Sequence, residues 1–247
     1  MTASSPIAAV LLDIEGTTTP IDFVYKTLFN YARTHVKDFL AAHLSSPELR
    51  ADIAGLLEEN AQDSRRGLGA PKLEGPIQRL SPDDIVAYVH WLMDRDRKTT
   101  PLKSLQGKIW EAGYNSGDLT SEVFDDVPRA FTRWREQGRR IYIYSSGSVL
   151  AQKLLFASTQ FGDLTSFISG YFDTQIGAKR DAESYGRIAA TLNLQPSEML
   201  FVSDVTDELD AATAAGLATL LCVRAGNHPQ TGAENHTAVH SFDQILP

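Results

Sequence analysis

AAVLLDIEGT, residues 8–17, is the stretch that decides the fold predicted from this sequence. Five apolar residues run directly into Asp13, Ile14, Glu15 and Gly16, so two carboxylates follow the end of a buried strand. A turn after Asp13 would separate them, so that one attacks or binds a metal while the other moves protons. Glycine permits such a turn without steric cost. Taken alone, the segment leaves open that both acids are ordinary solvated residues.

The second half of the chain alternates short apolar runs with helical periods. Beyond residue 125 this alternation is typical of βαβ units and a parallel sheet. Helices are expected between the strands, and the last of them should run over residues 207–215 and stop before a glycine. The predicted strands, about five and therefore near the usual sheet size, cover residues 7–12, 141–144, 167–172, 199–202 and 218–223.

Residues 22–119 differ, because they have helical spacing and almost no strand signal. One helix is predicted over the apolar positions between 24 and 39. Another begins at Ser81, with serine as N-cap, proline at the first helical position and acids in the first turn. A third helix is predicted over 102–109, and the glycine-rich stretch 65–75 indicates a loop. The first strand is therefore separated from its sheet by a helical insertion.

Composition narrows the class of protein and its partners. The 247 residues are 43% hydrophobic and 22% charged, as in a soluble globular protein. A net charge of −8 and the lack of basic stretches interleaved with aromatics argue against a nucleic-acid partner. No apolar run approaches the roughly 18 residues of a membrane span. The single cysteine, Cys222, excludes an internal disulfide, and with no signal-peptide pattern we expect a cytoplasmic protein.

Three predicted strands end in residues with chemical uses. In open parallel sheets, ligands bind beyond the carboxyl ends of the strands, where the strand order reverses. One strand ends in Ser145 and Ser146, whose hydroxyls and backbone N–H groups precede a helix and suit a phosphate. Another ends in an acidic cluster that includes Asp204. Asp13 and Asp204 together suit a hard cation such as Mg²⁺.

A positive charge is needed to offset the phosphate and these acids. Lys179 precedes a helix between the serine-bearing and Asp204-bearing strands, which is a suitable place. Arg180 is the neighbouring competitor, and a solvated surface lysine is an equally good interpretation of the spacing. Glu208, four residues after Asp204, suits a hydrogen bond from metal-bound water, and a solvated helix position explains it as well.

These segments, in this order, resemble the haloacid dehalogenase superfamily of phosphatases with an aspartate nucleophile. The stretch 13–21, with Glu15 where the superfamily usually has aspartate, is similar to the enolase-phosphatase E1 family of methionine salvage. The resemblance covers nearly the whole chain, and departures are confined to connecting regions such as 56–80. Further matching segments are 105–110, 142–149, 152–156 and 203–206.

The resemblance implies an α/β fold and a bifunctional, Mg²⁺-dependent reaction. A Rossmann-like parallel-sheet core, residues 1–21 plus 120–247, would carry a helical cap, residues 22–119, inserted after the first strand. The implied substrate is a small phosphate ester, 2,3-diketo-5-methylthiopentyl-1-phosphate, which is enolised and then dephosphorylated to the acireductone 1,2-dihydroxy-3-keto-5-methylthiopentene. A cytoplasmic monomer without nucleic-acid or membrane partners is the expectation.

The resemblance also implies a role for each acid and base. Asp13 would attack phosphorus, and Lys179 would neutralise charge on the transferring oxygens. Glu15 would protonate the leaving group and then deprotonate the hydrolytic water. Ser145 and Ser146 would hold the phosphate.

The metal ligands implied by the resemblance are Asp13, Asp204 and the backbone carbonyl of Glu15. The enolisation base is not identified, and Glu15 is the economical candidate. Two alternatives stay open, namely a phosphatase of another small phosphate ester without enolase activity and a catalytically silent binding protein.

Overall fold

In the computed structural model, which describes residues 6–247, the opening segment forms the strand that it predicts. Its four strand residues are fully buried, as expected of a parallel strand covered on both faces. The described residues form a six-stranded parallel sheet, and the five predicted strands are confirmed to within two residues. The strands are β1 (Ala9–Leu12), β2 (Arg140–Tyr144), β3 (Ile168–Phe172), β4 (Met199–Ser203), β5 (Ala218–Cys222) and β6 (Ala238–Val239).

The sheet has the order β3-β2-β1-β4-β5-β6, so its strand order reverses at β1. Leu12 is in register with Ile143 of β2 on one side and with Val202 of β4 on the other. The ends of β1, β2 and β4 therefore lie side by side at the point where open parallel sheets bind their ligands. β6 was not predicted, because two residues are too few to produce an alternating pattern.

The chain divides into two compact units. One unit combines the chain up to Lys26 with residues 119–247, and the other is residues 27–118. The sequence-based boundaries were 22 and 119, and the role of the helical unit as a cap stays a prediction.

The second unit is built from helices rather than strands. A π-helical turn at Phe23–Leu28 precedes the first of them. The predicted start of the helix at Ser81 is confirmed, since its hydroxyl accepts a hydrogen bond from the Asp84 N–H at 3.2 Å. A long helix that was not predicted begins with the same signature, because Ser46 accepts from the Leu49 N–H at 3.1 Å and proline follows it. The helices are α1 (Phe29–His43), α2 (Pro47–Arg65), α3 (Pro82–Met93) and α4 (Thr100–Ser116).

Helices of the first unit connect the parallel strands. The last of these helices ends at Ala214, one residue before its predicted end and two before Gly216. No helix within residues 6–247 is long and apolar enough to cross a membrane. The connecting helices are α5 (Asp126–Glu136), α6 (Val149–Ala157), α7 (Ala182–Leu192) and α8 (Thr206–Ala214).

Candidate active site

Asp13 lies directly beyond β1, with its side chain buried at the centre of the sheet's carboxyl edge. Its backbone N–H still donates to the carbonyl of Val202 at 3.0 Å, so the residue is held in register with β4. The chain then turns, and the N–H groups of Thr18 and Thr19 both donate to the carbonyl of Ile14, at 3.0 and 2.9 Å. The turn expected after Asp13 is therefore present, and it separates Asp13 from the next acid.

Gly16 makes that turn possible for two reasons. Its φ of +70° lies in the left-handed region that favours glycine. A Cβ atom at this position would also lie 2.5 Å from Oδ2 of Asp204. The turn is held by Asn227, whose Nδ2 donates to the Gly16 carbonyl at 2.9 Å. The glycine thus lets the carboxylate of Asp204 approach the loop after β1. Glu15, the preceding residue, is half-buried and forms an isolated β-bridge with Thr19.

Lys179 is the buried cation of this site. Its Nζ lies 2.6 Å from Oδ1 of Asp13 and 2.6 Å from Oε2 of Glu208. Burial lowers the pKa of Lys179, but the negative charges of Asp13 and Glu208 outweigh burial and raise it above its ordinary value. Arg180, by contrast, is exposed and lies 3.4 Å from exposed Asp207. Of the two cations, Lys179 is therefore the one that lies buried beside Asp13.

Ser203 is a functional candidate that the sequence analysis did not single out, and for Glu208 that analysis left a solvated helix position open. Glu208 is buried rather than solvated, and burial raises its pKa. The hydroxyl of Ser203 donates to Oε2 of Glu208 at 3.0 Å and lies 3.4 Å from Oδ2 of Asp13. The available signal for Ser203 was a hydroxyl residue directly before the strand-end Asp204.

At Asp204 the negative charge of the site is only partly compensated. Burial and the negative charge of Asp13 raise the pKa of Asp204 to about 8, although the positive charge of Lys179 offsets part of the shift. Among the described residues, the buried carboxylates of Asp13, Asp204 and Glu208 thus accompany one buried ammonium group. Such a cluster attracts a further cation.

The donor set of the site fits a hard divalent cation. Within residues 6–247, no group of three or more His, Cys, Asp or Glu side chains is arranged to hold a metal ion. A cation at Asp13 and Asp204 would therefore take its other ligands from backbone and water oxygens. Mg²⁺ has this preference, since it usually binds one or two carboxylates and keeps several waters.

Ser145 and Ser146 lie at the neighbouring strand end, directly after β2. Ser145 is buried, and its Oγ accepts a hydrogen bond from the Gly147 N–H at 3.1 Å. Ser146 is half-buried in the same loop, and Ser148 caps α6 by accepting from the Ala151 N–H at 3.3 Å. These bonds run within the serine loop rather than to Asp13. The loop is an ordered polar surface before a helix N-terminus, which suits an anion.

A protein-family model described as haloacid dehalogenase-like hydrolase matches residues 7–216. The chain belongs to the haloacid dehalogenase-like hydrolases. This membership, together with the parallel sheet, confirms the predicted α/β fold class and the prediction of an enzyme.

Within the haloacid dehalogenase-like hydrolases, the chain is similar over its full length to proteins named enolase-phosphatase E1. The protein from Synechococcus elongatus is 51% identical over 239 residues, which cover 97% of this chain and 98% of that protein. The protein from Methylococcus capsulatus is 46% identical over 243 residues, which cover 98% of each. The resemblance to enolase-phosphatase E1 that the sequence motifs indicate is therefore confirmed.

The chain is also similar to a solved structure. The UTR4 protein from Saccharomyces cerevisiae is 34% identical, with a TM-score of 0.77, and the match covers 97% of this chain and 100% of that chain. The similarity to an experimentally determined structure thus extends over nearly the whole chain.

Proposed function

We propose that this chain is a Mg²⁺-dependent enolase-phosphatase of methionine salvage. It would convert 2,3-diketo-5-methylthiopentyl-1-phosphate, through the enol 2-hydroxy-3-keto-5-methylthiopentenyl-1-phosphate, to 1,2-dihydroxy-3-keto-5-methylthiopentene and phosphate. The observation that carries the proposal is the buried contact of Lys179 with Asp13 beside the uncompensated Asp204, at the switch point of the sheet. Full-length similarity to proteins named enolase-phosphatase E1 supports the choice of substrate.

Phosphoryl transfer assigns different duties to the two acids after β1. An oxygen of the Asp13 carboxylate attacks phosphorus in line, the bond from phosphorus to the ester oxygen breaks, and a phosphoaspartate forms. Glu15 gives its proton to the departing oxygen. Glu15 then takes a proton from water, the water oxygen attacks phosphorus, and Asp13 leaves as a free carboxylate with release of inorganic phosphate.

Lys179, Ser145 and Ser146 act on the phosphoryl group itself. The ammonium of Lys179, held 2.6 Å from Asp13, neutralises charge on the transferring oxygens. The two serines hold those oxygens through hydroxyl and backbone N–H groups. When bound at Asp13, Asp204 and the Glu15 carbonyl, Mg²⁺ supplies a further positive charge to the phosphoryl and dicarbonyl oxygens.

Enolisation removes a proton from the carbon next to a ketone. Glu15 is the candidate base, because it is the half-buried acid that the turn separates from Asp13. A single carboxylate would then serve both half-reactions, first as the base that removes this carbon-bound proton and later as the acid of phosphoryl transfer.

A coupled assay tests the proposal. The diketone phosphate is supplied with and without Mg²⁺, while ultraviolet absorbance and released phosphate are followed together. We expect the enol absorbance to rise first and phosphate release to follow, both with dependence on Mg²⁺. Phosphate release from a panel of simple phosphomonoesters at equal efficiency, without an enol signal, would support the rival phosphatase without enolase activity.

The location and the oligomeric state belong to the same proposal. We expect a cytoplasmic monomer, which fits the single and buried Cys222 of a protein without disulfides. Size-exclusion chromatography with light scattering at assay concentration checks the monomer, and a dimer mass would correct it.

A further inference from the structure

The loop that carries Lys179 is tied to the core by three side chains from regular elements. It connects β3 to α7, and each side chain donates to a different backbone carbonyl of the loop. The Tyr144 hydroxyl donates to the Gly177 carbonyl at 2.9 Å, and the Tyr185 hydroxyl donates to the carbonyl of Lys179 itself at 2.7 Å. Nε of Arg187 donates to the Ile176 carbonyl at 2.7 Å. The backbone around Lys179 is therefore held from several directions.

The two tyrosines are rigid anchors because both are fully buried in the core of the first unit, which contains the sheet. Their rings meet edge to face with centroids 5.6 Å apart, and the Tyr185 ring lies 5.1 Å from that of Phe201 on β4. The Tyr144 ring also lies 5.9 Å from Nζ of Lys179, within the range of a cation–π contact. Hydroxyl groups on such packed rings have fixed positions, so the carbonyls that they bind are fixed as well.

Gly177 shows how closely this loop is fitted to α7. Its φ of +142° is in the region that side-chain-bearing residues rarely adopt. A Cβ atom there would collide with Oγ of Ser184 and Nη2 of Arg187. The loop therefore packs closely against α7 at Gly177, two residues before Lys179.

We propose that Tyr185, together with Tyr144, is a positioning residue for phosphoryl transfer. A lysine side chain is a flexible four-carbon stem, so the position of its ammonium group depends on where its backbone is held. The bond from Tyr185 to the Lys179 carbonyl sets that backbone, and the ammonium then reaches Asp13 at 2.6 Å. The two tyrosine hydroxyls donate to backbone carbonyls of the loop and therefore act through Lys179. The inference rests on the proposed role of Lys179.

The test is Tyr185→Phe, which removes the hydroxyl and keeps the ring. We expect kcat with the diketone phosphate to fall about tenfold and KM to change by less than about twofold, since the lost precision affects the transition state. The inhibition constant of orthovanadate, which mimics the five-coordinate phosphorus of transfer, should rise about as much as kcat falls. Melting temperature should drop by roughly 2–4 °C for one lost hydrogen bond.

Tyr171→Phe is the matched control. The Tyr171 hydroxyl is buried on β3 and has no hydrogen-bond partner in the described part of the chain, so its removal breaks no bond. We expect wild-type kcat, KM and orthovanadate inhibition. Tyr144→Phe gives a second reading, with the same direction of change as Tyr185→Phe, and it serves as the test if Tyr185→Phe does not fold.

The outcomes separate this inference from the proposed function. A lower apparent kcat with an unchanged orthovanadate inhibition constant would overturn the positioning role, because loss of folded enzyme alone leaves inhibition constants unchanged. Wild-type kinetics in Tyr185→Phe, with Lys179→Met inactive, would overturn the positioning role alone. Wild-type turnover in Lys179→Met would overturn the catalytic role of Lys179 and the positioning role with it.

Discussion

Two buried clusters in the first unit both combine carboxylates with a cationic side chain. They differ in how fully the negative charge is compensated. In the first, Arg224 meets Asp126 with two bonds, from Nη1 to Oδ2 at 2.6 Å and from Nη2 to Oδ1 at 3.0 Å. The same carboxylate accepts from the Ser241 hydroxyl and from the Phe242 N–H, both at 2.8 Å. The Arg224 guanidinium also lies 4.4 Å from the ring centroid of Phe124. Charge and hydrogen bonds in this cluster are satisfied.

In the second cluster, around Lys179, the negative charge of the carboxylates is not fully compensated. The pKa values of one carboxylate from each cluster show the difference. Burial raises the pKa of Asp126, but Arg224, Ser241 and Phe242 bind its charged form and bring the pKa below its ordinary value. At Asp204, burial and the charge of Asp13 act in the same direction and raise the pKa to about 8. The difference teaches that burial alone does not mark a functional carboxylate. A buried carboxylate marks a functional site when the protein leaves its negative charge uncompensated, because such a group can bind a cation or a substrate.

The largest predicted effect is that of Asp13→Asn. We expect phosphate release to fall by at least about 10⁴-fold, because the amide cannot act as the nucleophile. The free energy of unfolding without metal should fall by less than about 2 kcal/mol, because one of the crowded negative charges is removed as well. Steady-state phosphate release and urea unfolding measure the two quantities. Near wild-type turnover would contradict the assignment of Asp13.

The satisfied cluster should show the reverse pattern. Arg224→Met leaves Asp126 as a buried charge without its cation, so we expect a loss of about 3–5 kcal/mol in the free energy of unfolding. Activity per folded enzyme should stay near wild type. The double variant Arg224→Met with Asp126→Leu is the control, and it should regain much of the lost stability. If the single variant unfolds at the wild-type urea midpoint, the ion pair is not a structural support.

Acid should remove the contribution of Asp126 in a defined window. Because the pKa of Asp126 is lowered on folding, its stabilising effect is complete above its ordinary value of about 4 and is lost as pH falls through the folded-state value. The stability gap between wild type and Asp126→Asn should therefore be constant from about pH 5 to 7 and narrow below about pH 4. Urea unfolding across this range measures the gap, and a gap that widens on acidification would contradict the sign of the shift.

The smallest predicted effect concerns an exposed pair. Arg129 and Asp243 lie 2.7 Å apart with side chains that are 59% and 47% exposed. Arg129→Met should leave the urea midpoint close to that of the wild type, because solvent screens such pairs. Urea unfolding beside Arg224→Met compares the two arginines directly. A loss as large as that of Arg224→Met would show that exposure does not separate them.

Much of the fold could be predicted because strands and helices carry local signals. The continuous apolar run of β1 predicts a strand buried on both faces, and the Ser81 cap predicts the start of α3. α2 escaped prediction although Ser46 begins it with a signature like that of Ser81. β6 carries too little local pattern, since its two residues are defined by pairing with β5.

The candidate site was predictable where its residues end a strand or begin a helix. Asp13 and Asp204 follow β1 and β4, and their approach follows from the sheet order. The choice of Lys179 over Arg180 depends on which side chain packs inward, which spacing does not encode. The buried position of Glu208 depends on its contact with Lys179, which brings together residues far apart in the chain.

The most direct test of the central claim is to trap the covalent intermediate. Enzyme turning over the diketone phosphate with Mg²⁺ is quenched in acid, digested and mapped by mass spectrometry. The account predicts a phosphoryl group on the peptide that contains Asp13, and none in Asp13→Asn enzyme treated in the same way. A phosphoryl group on another residue, or sustained turnover without any phosphorylated peptide, would contradict it.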